Sequence, residues 1–553
     1  MSLRPDPMGS VPEETIRVAR AVFRQGNLCI RLREALGTVY DDEMFADLFS
    51  STGRPAEAPW RLALVCVLQY VGDLSDRQAA EAVRARIDWK YLLGLELTDP
   101  GFDFSILSDF RARLIERDAE QRIFGHLVER LSERGWIKKR GVLRTDSTHV
   151  LAAVRRLNRL ELLGETLRAA LNALSEHNAQ WLQAWVPGDW FERYSRRIEE
   201  WRIPGAKQKQ EQIMQQIGQD GSRLLTEIWN EHTPAPLRQL PEVEGLRRTW
   251  VQQFFWNEQG QIQVRNKDDL PPAHLTIRSP YDHQAHYGHK RDLCWYGYKV
   301  HFSETCEEDL PHLITHVLTT DATETDIEHT EAIHQALAKR SLLPETHLMD
   351  AGYVDAGLIL TSQEHYEIAL VGPVSQNNQW QAKAAQGYDL ASFQIDWQGK
   401  FATCPQGNQS VKWTERKDQH GHPKVAIRFG LLDCRECPVR SLCTRSPHAP
   451  RILAVRHQSE HDTLRLARAR EKGEEFRRQY AQRSGIEGTH SQAVRTMGLR
   501  RTRYLGLNKT ALQHLFTAAA LNLLRLDAFL AEKKVTKTRI SRFAALAPAE
   551  IAS

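Results

Sequence analysis

The sequence has no run of about eighteen uncharged apolar residues, the length a membrane-spanning helix needs. Its N-terminus, M-S-L-R-P-D-P, also lacks the apolar stretch of a secretory signal. A soluble, intracellular protein is therefore expected. Cysteine is scarce, with eight in 553 residues. Cys29, Cys66, Cys294 and Cys306 are scattered, whereas Cys404, Cys434, Cys437 and Cys443 share one segment. In a reducing compartment such a cluster points to metal sooner than to disulfides. Net charge is also small, at +4, but it hides a block from Arg465 to Lys509 with twelve Lys or Arg against four acids. That density predicts a polyanionic partner.

A chain this long exceeds one ordinary hydrophobic core, and its 41% hydrophobic content suffices for two to four folding units. Residues 1–13 are polar and proline-rich, and are expected to be a disordered tail. From Ala58 to Asp73, Trp60, Leu64, Val67, Leu68 and Val71 recur at helical spacing, and Ser75 with Gln78 forms a capping pattern for another helix. Short helices continue to about residue 135. Their Arg77, Arg84, Arg86, Lys90, Arg111 and Arg113 fit either a helix-turn-helix unit in a DNA groove or a plain bundle with a solvated charged face.

The run from Val142 to Thr145 predicts a strand ending at Asp146. Leu160, Leu163, Leu167, Leu171 and Leu174 then mark a helical face. It opens a charged helical insertion over about 155–280 whose tryptophans, Trp185, Trp190, Trp201, Trp229, Trp250 and Trp256, read mainly as core or interface anchors. Strict alternation in Y-G-Y-K-V-H-F-S predicts a strand that forms a hairpin with L-I-T-H-V-L-T-T. A strand ending at Asp350, a helix near 356–363 and the strand from Glu367 follow. The expected fold class is α/β, a mixed sheet with flanking helices that can bring Asp146 and Asp350 to neighbouring strand ends. The sheet is interrupted twice, by the helical insertion and by a cysteine-containing insertion over 373–470. Asp321 and Asp326 are rival acids, but Asp326 sits inside the capping pattern of Thr325 and Glu328. Further on, Tyr480, Arg483 and Glu487 are spaced to share one helical face, although Gly485 and Gly488 oppose a regular helix there. Glu474 and Glu475 lack that spacing. His283, His286 and His289 are read as a DNA-facing or solvated loop.

In this order the motifs resemble the DDE transposases of bacterial insertion sequences, and the eleven-eighty-two family most closely. The resemblance rests on F-D-F-S-I-L-S-D-F, L-R-T-D-S-T, Y-G-Y-K-V-H, M-D-A-G-Y and G-L-R-R-T-R-Y-L-G-L-N-K-T-A-L-Q. It implies an RNase H-like catalytic domain over 136–526, a helical DNA-binding domain over 14–135 and a C-terminal tail over 527–553. It also implies that Asp146, Asp350 and Glu487 are catalytic and hold two Mg²⁺ ions, with Mn²⁺ as a substitute. In that scheme Asp146 bridges both ions and the other two acids hold one each. Tyr480 and Arg483 match a Y-x-x-R-x-x-x-E signature whose later lysine is Val494 here, with Arg495 adjacent.

Three carboxylates without a serine or cysteine nucleophile suit in-line displacement at phosphorus, because hard oxygens hold Mg²⁺ and leave places for water and phosphate. The implied function is metal-dependent cleavage at the element's ends and strand transfer into target DNA. The implied partners are terminal inverted repeats, target DNA and a second copy of the chain on paired ends, in the bacterial cytoplasm at the nucleoid, without membrane. Tyr480, Arg483, Arg495, Arg500, Arg501 and Arg503 are the expected DNA contacts. Cys404, Cys434, Cys437 and Cys443 are candidates for a structural zinc site. Two other readings stay open: a catalytically silent DNA-binding derivative of a transposase, and an RNase H-like nuclease without strand transfer.

Overall fold

The strand Val142–Leu151 sets the architecture, because it pairs on both edges and with opposite polarity. In the computed structural model, residues 10–533 are described apart from 155, 156, 199, 200, 202–204, 273, 291, 292, 385, 418–420 and 422, together with 2, 3, 5 and 546. Most of the C-terminal tail, and part of the expected N-terminal tail, lie outside the described residues. Ser2 is described, and it is buried, donating from its backbone to the Arg54 carbonyl and from its hydroxyl to that of Gly53.

On one edge of the first strand lies the long strand Leu293–Thr305, antiparallel, with Asp146 opposite Phe302. On the other lies Thr346–Met349, parallel, followed by Ala369–Val371, also parallel. The far edge of the long strand is shared by His286–Lys290 and Ile314–Asp321, both antiparallel. The result is a six-stranded mixed sheet. The expected hairpin is present, with Phe302 opposite Val317. The first strand, however, does not end at Asp146. It runs on to Leu151, because the long strand pairs with it that far and Thr148 and Val150 are buried against its neighbours. The 283–289 segment is also not all loop, since His286–Lys290 is an edge strand and His286 bonds Asp321.

The helix Pro59–Val71 is buried on almost every side, and so is Leu507–Leu530. These two pack together, and the second also lies on strand Ile314–Asp321. The N-terminal helices and the sheet consequently share one continuous apolar core. Ser75 and Gln78 form the expected reciprocal cap on Asp76–Ala85. Some basic side chains of these helices are held by partners within the bundle, while Arg77, Arg84 and Arg86 remain exposed. Arg111 makes two bonds to Asp76, at 3.0 and 2.6 Å. Lys90 is buried and donates to the carbonyls of Glu96 and Asp99, Arg86 pairs with Asp88, and Arg113 donates to the Leu48 carbonyl. Buried charges need partners of this kind.

The two insertions carry separate cores. The first packs Leu163, Leu167, Leu174, Trp190, Leu224 and Trp250 within its helices, while Trp229 and Trp256 stay exposed. The second packs Phe393, Ile427, Phe429 and Leu453 around the three-stranded sheet of Ser410–Lys417, Pro423–Phe429 and Ile452–Arg456.

Candidate active site

Strand pairing brings the first two acids together. Thr145 is the parallel partner of Met349, so Asp146 and Asp350 follow at the next position of adjacent strands. The Asp146 carboxylate accepts from the Ser147 backbone at 2.8 Å, and that of Asp350 from the Gly352 backbone at 2.8 Å. Burial raises the Asp146 carboxyl above its ordinary range against the pull of Arg483. Burial raises Asp350 as well, and the charge of Asp146 adds to it. Two buried carboxyls, one of them further disfavoured in its charged form by the other, form a cation-seeking site.

Asp326 joins them. It begins the 3₁₀ turn after the Ile314–Asp321 strand, and the Ser147 hydroxyl donates to it at 3.2 Å. Its other oxygen accepts from Lys299 at 3.2 Å, and Lys290 lies 3.9 Å away. Sequence reasoning ranked Asp326 below the others on its capping motif, and the cap is indeed made by Thr325 and Glu328. The motif constrains the backbone there but leaves the Asp326 side chain free to face Asp350, whose pKa it also raises.

Glu487 arrives from a different direction. The expected single helix is broken into Glu474–Ala481, a 3₁₀ turn at Gln482–Ser484 and Gly485–Met497. Arg483 in the turn donates to Asp146 at 3.0 Å and to Glu487 at 3.1 Å, and so stands between them. Its guanidinium lies over the Tyr480 ring, and that ring stacks on Phe476. Asp146 is sheltered, whereas the Glu487 side chain is 65% exposed. Among the described residues no three His, Cys, Asp or Glu side chains are gathered tightly enough to hold a metal ion. The donor chemistry of Asp146 and Asp350 nevertheless fits a hard divalent cation.

A second charged group, missed by sequence reasoning, holds these pieces in place. Glu304 is fully buried and accepts from Arg144 at 2.7 Å, Thr489 at 2.6 Å and Arg525 at 2.6 Å. Arg144 also donates to the Gln482 carbonyl at 2.7 Å. A Cβ at Gly485 would fall about on that guanidinium, 2.1 Å from Nη1, so glycine is required for the approach. The clamp ties the strand of Asp146 to the turn of Arg483 and the helix of Glu487.

The remaining basic candidates are placed unequally. Arg495 is exposed, one residue beyond Val494, which packs against the core. Arg500 reaches Thr148 at 3.1 Å, and Arg501 is exposed where the chain pairs with Leu151. Arg503 is occupied in docking the N-terminal helices, pairing with Asp73, donating to the Leu74 carbonyl and covering Tyr70. Cys404, Cys434, Cys437 and Cys443 are free thiols lining one small pocket with Phe393 and Phe429.

Asp350 gives a prediction on stability. A carboxyl raised by folding stabilises the fold below its unfolded pKa, and that contribution is lost as pH rises through the folded value. Asp350→Asn removes the repulsion and keeps an oxygen for Gly352. Thermal unfolding at pH 7 without divalent ions should therefore show a melting temperature raised by about 1–2 °C. An unchanged or lower value would count against strain between Asp146 and Asp350.

In comparison with known families, residues 403–527 match the model of a transposase DDE domain and residues 18–113 that of a transposase domain, DUF772. The first match contains Tyr480, Arg483, Glu487 and the four clustered cysteines, while Asp146 and Asp350 precede it. Both matches are to transposase domains and are consistent with a DDE transposase of an insertion sequence. No curated protein matches the chain. Among the described residues no helix is long and apolar enough to cross a membrane.

Proposed function

We propose that the chain is a DNA transposase that cuts at the ends of its element and joins the freed 3′-hydroxyl to target DNA. The observation that carries this reading is the convergence of Asp146 and Asp350 on adjacent parallel strands, with Glu487 joined to Asp146 through Arg483. A sheet of antiparallel strands continued by two parallel ones supports an RNase H-like domain within 136–526. The helices of 14–135 form the DNA-binding domain in this reading, and the two insertions interrupt the catalytic one.

A bound Mg²⁺ or Mn²⁺ supplies Lewis-acid stabilisation of charge at the scissile phosphate. Asp146 and Asp350 would hold it, with Glu487 completing the set, and Ser147 and Gly352 orient the first two carboxylates through their backbone N–H groups. Arg483, stacked on Tyr480, presents a forked donor suited to phosphate. Arg495, Arg500 and Arg501 supply register along the backbone of the terminal repeats and target. A homodimer on paired ends, in the cytoplasm at the nucleoid, completes the reading.

The four cysteines are proposed as a structural zinc site: they line one pocket between the small sheet and the Leu431–Arg435 and Arg440–Cys443 helices, and, not being gathered to ligand distances as they stand, they would have to close on the ion. About one zinc per chain should be found by elemental analysis and lost in Cys434→Ser. A metal-free chain of unchanged stability would remove the zinc site and leave the transposase reading intact.

The test of the main reading is incubation of the purified chain with a plasmid carrying its own gene and flanks, together with a target plasmid, with Mg²⁺ or with chelator. Metal-dependent end cleavage with joined products is expected. Cutting without joining would favour the nuclease, and specific binding without cutting the silent derivative.

A further inference from the structure

A groove of about 1170 Å³ lies between the small sheet of the second insertion and helix Gln458–Glu471. It is lined by Lys383, Lys424, Arg456, Arg465, Arg468 and Lys472, with Asp389 the acid on its wall. The fold collects these cations against their mutual repulsion. Lys424 and Arg456 are directly opposed on neighbouring antiparallel strands, where like charges destabilise. Arg465, Arg468 and Lys472 recur at three and four residues along one face of a helix, an equally unfavourable spacing for like charges.

Local acids answer only part of this charge. Glu460 takes Arg456 at 2.6 Å, and Asp462 approaches Arg465 at 3.8 Å. Arg468 is fixed by two bonds to the Ser375 carbonyl, at 3.0 and 2.7 Å, with Glu471 and Asp389 acting on its charge from nearby but not bonded to it. One groove residue adjoins the segment that follows Asp350. Arg456 lies 4.0 Å from Asp355, which caps the helix just after Asp350. The helix that lines the groove runs into the one bearing Tyr480.

We infer that this groove binds the sugar-phosphate backbone of duplex DNA flanking the scissile phosphate. The inference rests on the transposase reading and adds to it the role of the second insertion: one wall of a DNA channel, with helix Gln458–Glu471 as the other. A regular polyanion matches cations held in two rows, and contacts of this type bind without reading sequence. In the N-terminal helices Arg111 and Arg113 are held by internal partners, whereas Lys383, Arg465 and Lys472 of the groove are exposed.

The test neutralises the three exposed cations together, as Lys383→Gln, Arg465→Gln and Lys472→Gln. Affinity for a labelled random-sequence duplex is then measured across a salt series. About tenfold or greater weakening near 0.1 M salt is expected, with the slope of log affinity against log salt shallower by about 3. Circular dichroism and melting temperature should not change, because all three side chains are exposed. If the triple variant folds poorly, each single substitution should still reduce the slope by about 1. A wild-type slope in the folded variant overturns the groove assignment alone. A wild-type chain that binds no duplex at all overturns the transposase reading itself.

Discussion

The Asp146→Asn chain is expected to bind DNA with wild-type affinity and to cut almost none of it. The substitution keeps the shape of the side chain and leaves an oxygen for the Ser147 N–H, but it removes the charge that makes the site attractive to a divalent ion. Transition-state stabilisation by a metal is worth several kcal/mol, so a loss of about 4 kcal/mol corresponds to about a thousandfold in rate. Because burial already disfavours the charged form, the fold should tolerate asparagine well. Single-turnover cleavage with Mg²⁺, beside a binding titration on the same duplex, separates the two effects. A variant that cuts at the wild-type rate removes Asp146 from the metal-binding acids, and one that fails to bind DNA gives it a role in contact or folding instead.

The resting arrangement adds a condition to that experiment. Arg483 holds Asp146 and Glu487 at once, so a guanidinium occupies the space between two of the three acids. Loss of the Asp146 charge frees Arg483 from one partner and leaves it with Glu487. Any gain in phosphate affinity by the variant is then traceable to Arg483, and it should vanish in Asp146→Asn combined with Arg483→Gln.

How far the sequence disclosed this site depended on the range of the interaction concerned. Alternation within eight residues was enough to find the Leu293–Thr305 strand and its hairpin partner, because a period of two reports burial of one face directly. The end of the first strand was misplaced, since how far a strand runs is decided by the length of its neighbour, and that neighbour lies beyond a long insertion. The cap at Thr325 was legible from four residues. That Asp326, inside it, turns toward Asp350 was not, because the approach depends on Ser147 and Lys299 from two other strands. In the N-terminal helices, Arg111 and Arg113 looked as available for DNA as the exposed Arg77 and Arg84 until their partners were known. Asp76 for Arg111 and Leu48 for Arg113 are contacts that no helical spacing encodes. The groove of the second insertion was legible only in part: Arg465, Arg468 and Lys472 fall in the basic block, but Lys383, Lys424 and Arg456 come from separate segments that no local pattern joins to it.

Glu304 is the extreme case of that distance, and its replacement should be the most damaging to the fold. In sequence it follows the alternating run Y-G-Y-K-V-H-F-S with nothing local to mark it as buried, yet its side chain has no exposure and answers two arginines, one from the first strand and one from the last long helix. Burial opposes its ionisation, but Arg525, Arg144 and the Thr489 hydroxyl outweigh it, and its carboxyl is held below the ordinary glutamate range. Glu304→Ala leaves Arg144 buried without its carboxylate and Arg525 without its anchor, an arrangement that costs about 3–5 kcal/mol. Urea unfolding should show this as a lower midpoint. The sign with pH follows from the lowered carboxyl. Its contribution is present above the unfolded pKa of about 4.3 and is lost as pH falls through the folded value, so the gap between wild type and variant should close in acid. Because Arg144 also holds the Gln482 carbonyl beside Arg483, Glu304→Gln, which keeps the shape and weakens the charge, should cut more slowly and require more Mg²⁺ even where it remains folded. A Glu304→Gln chain with a wild-type metal requirement would leave the clamp a purely structural one, and a Glu304→Ala chain as stable as wild type would mean that the two arginines find other partners.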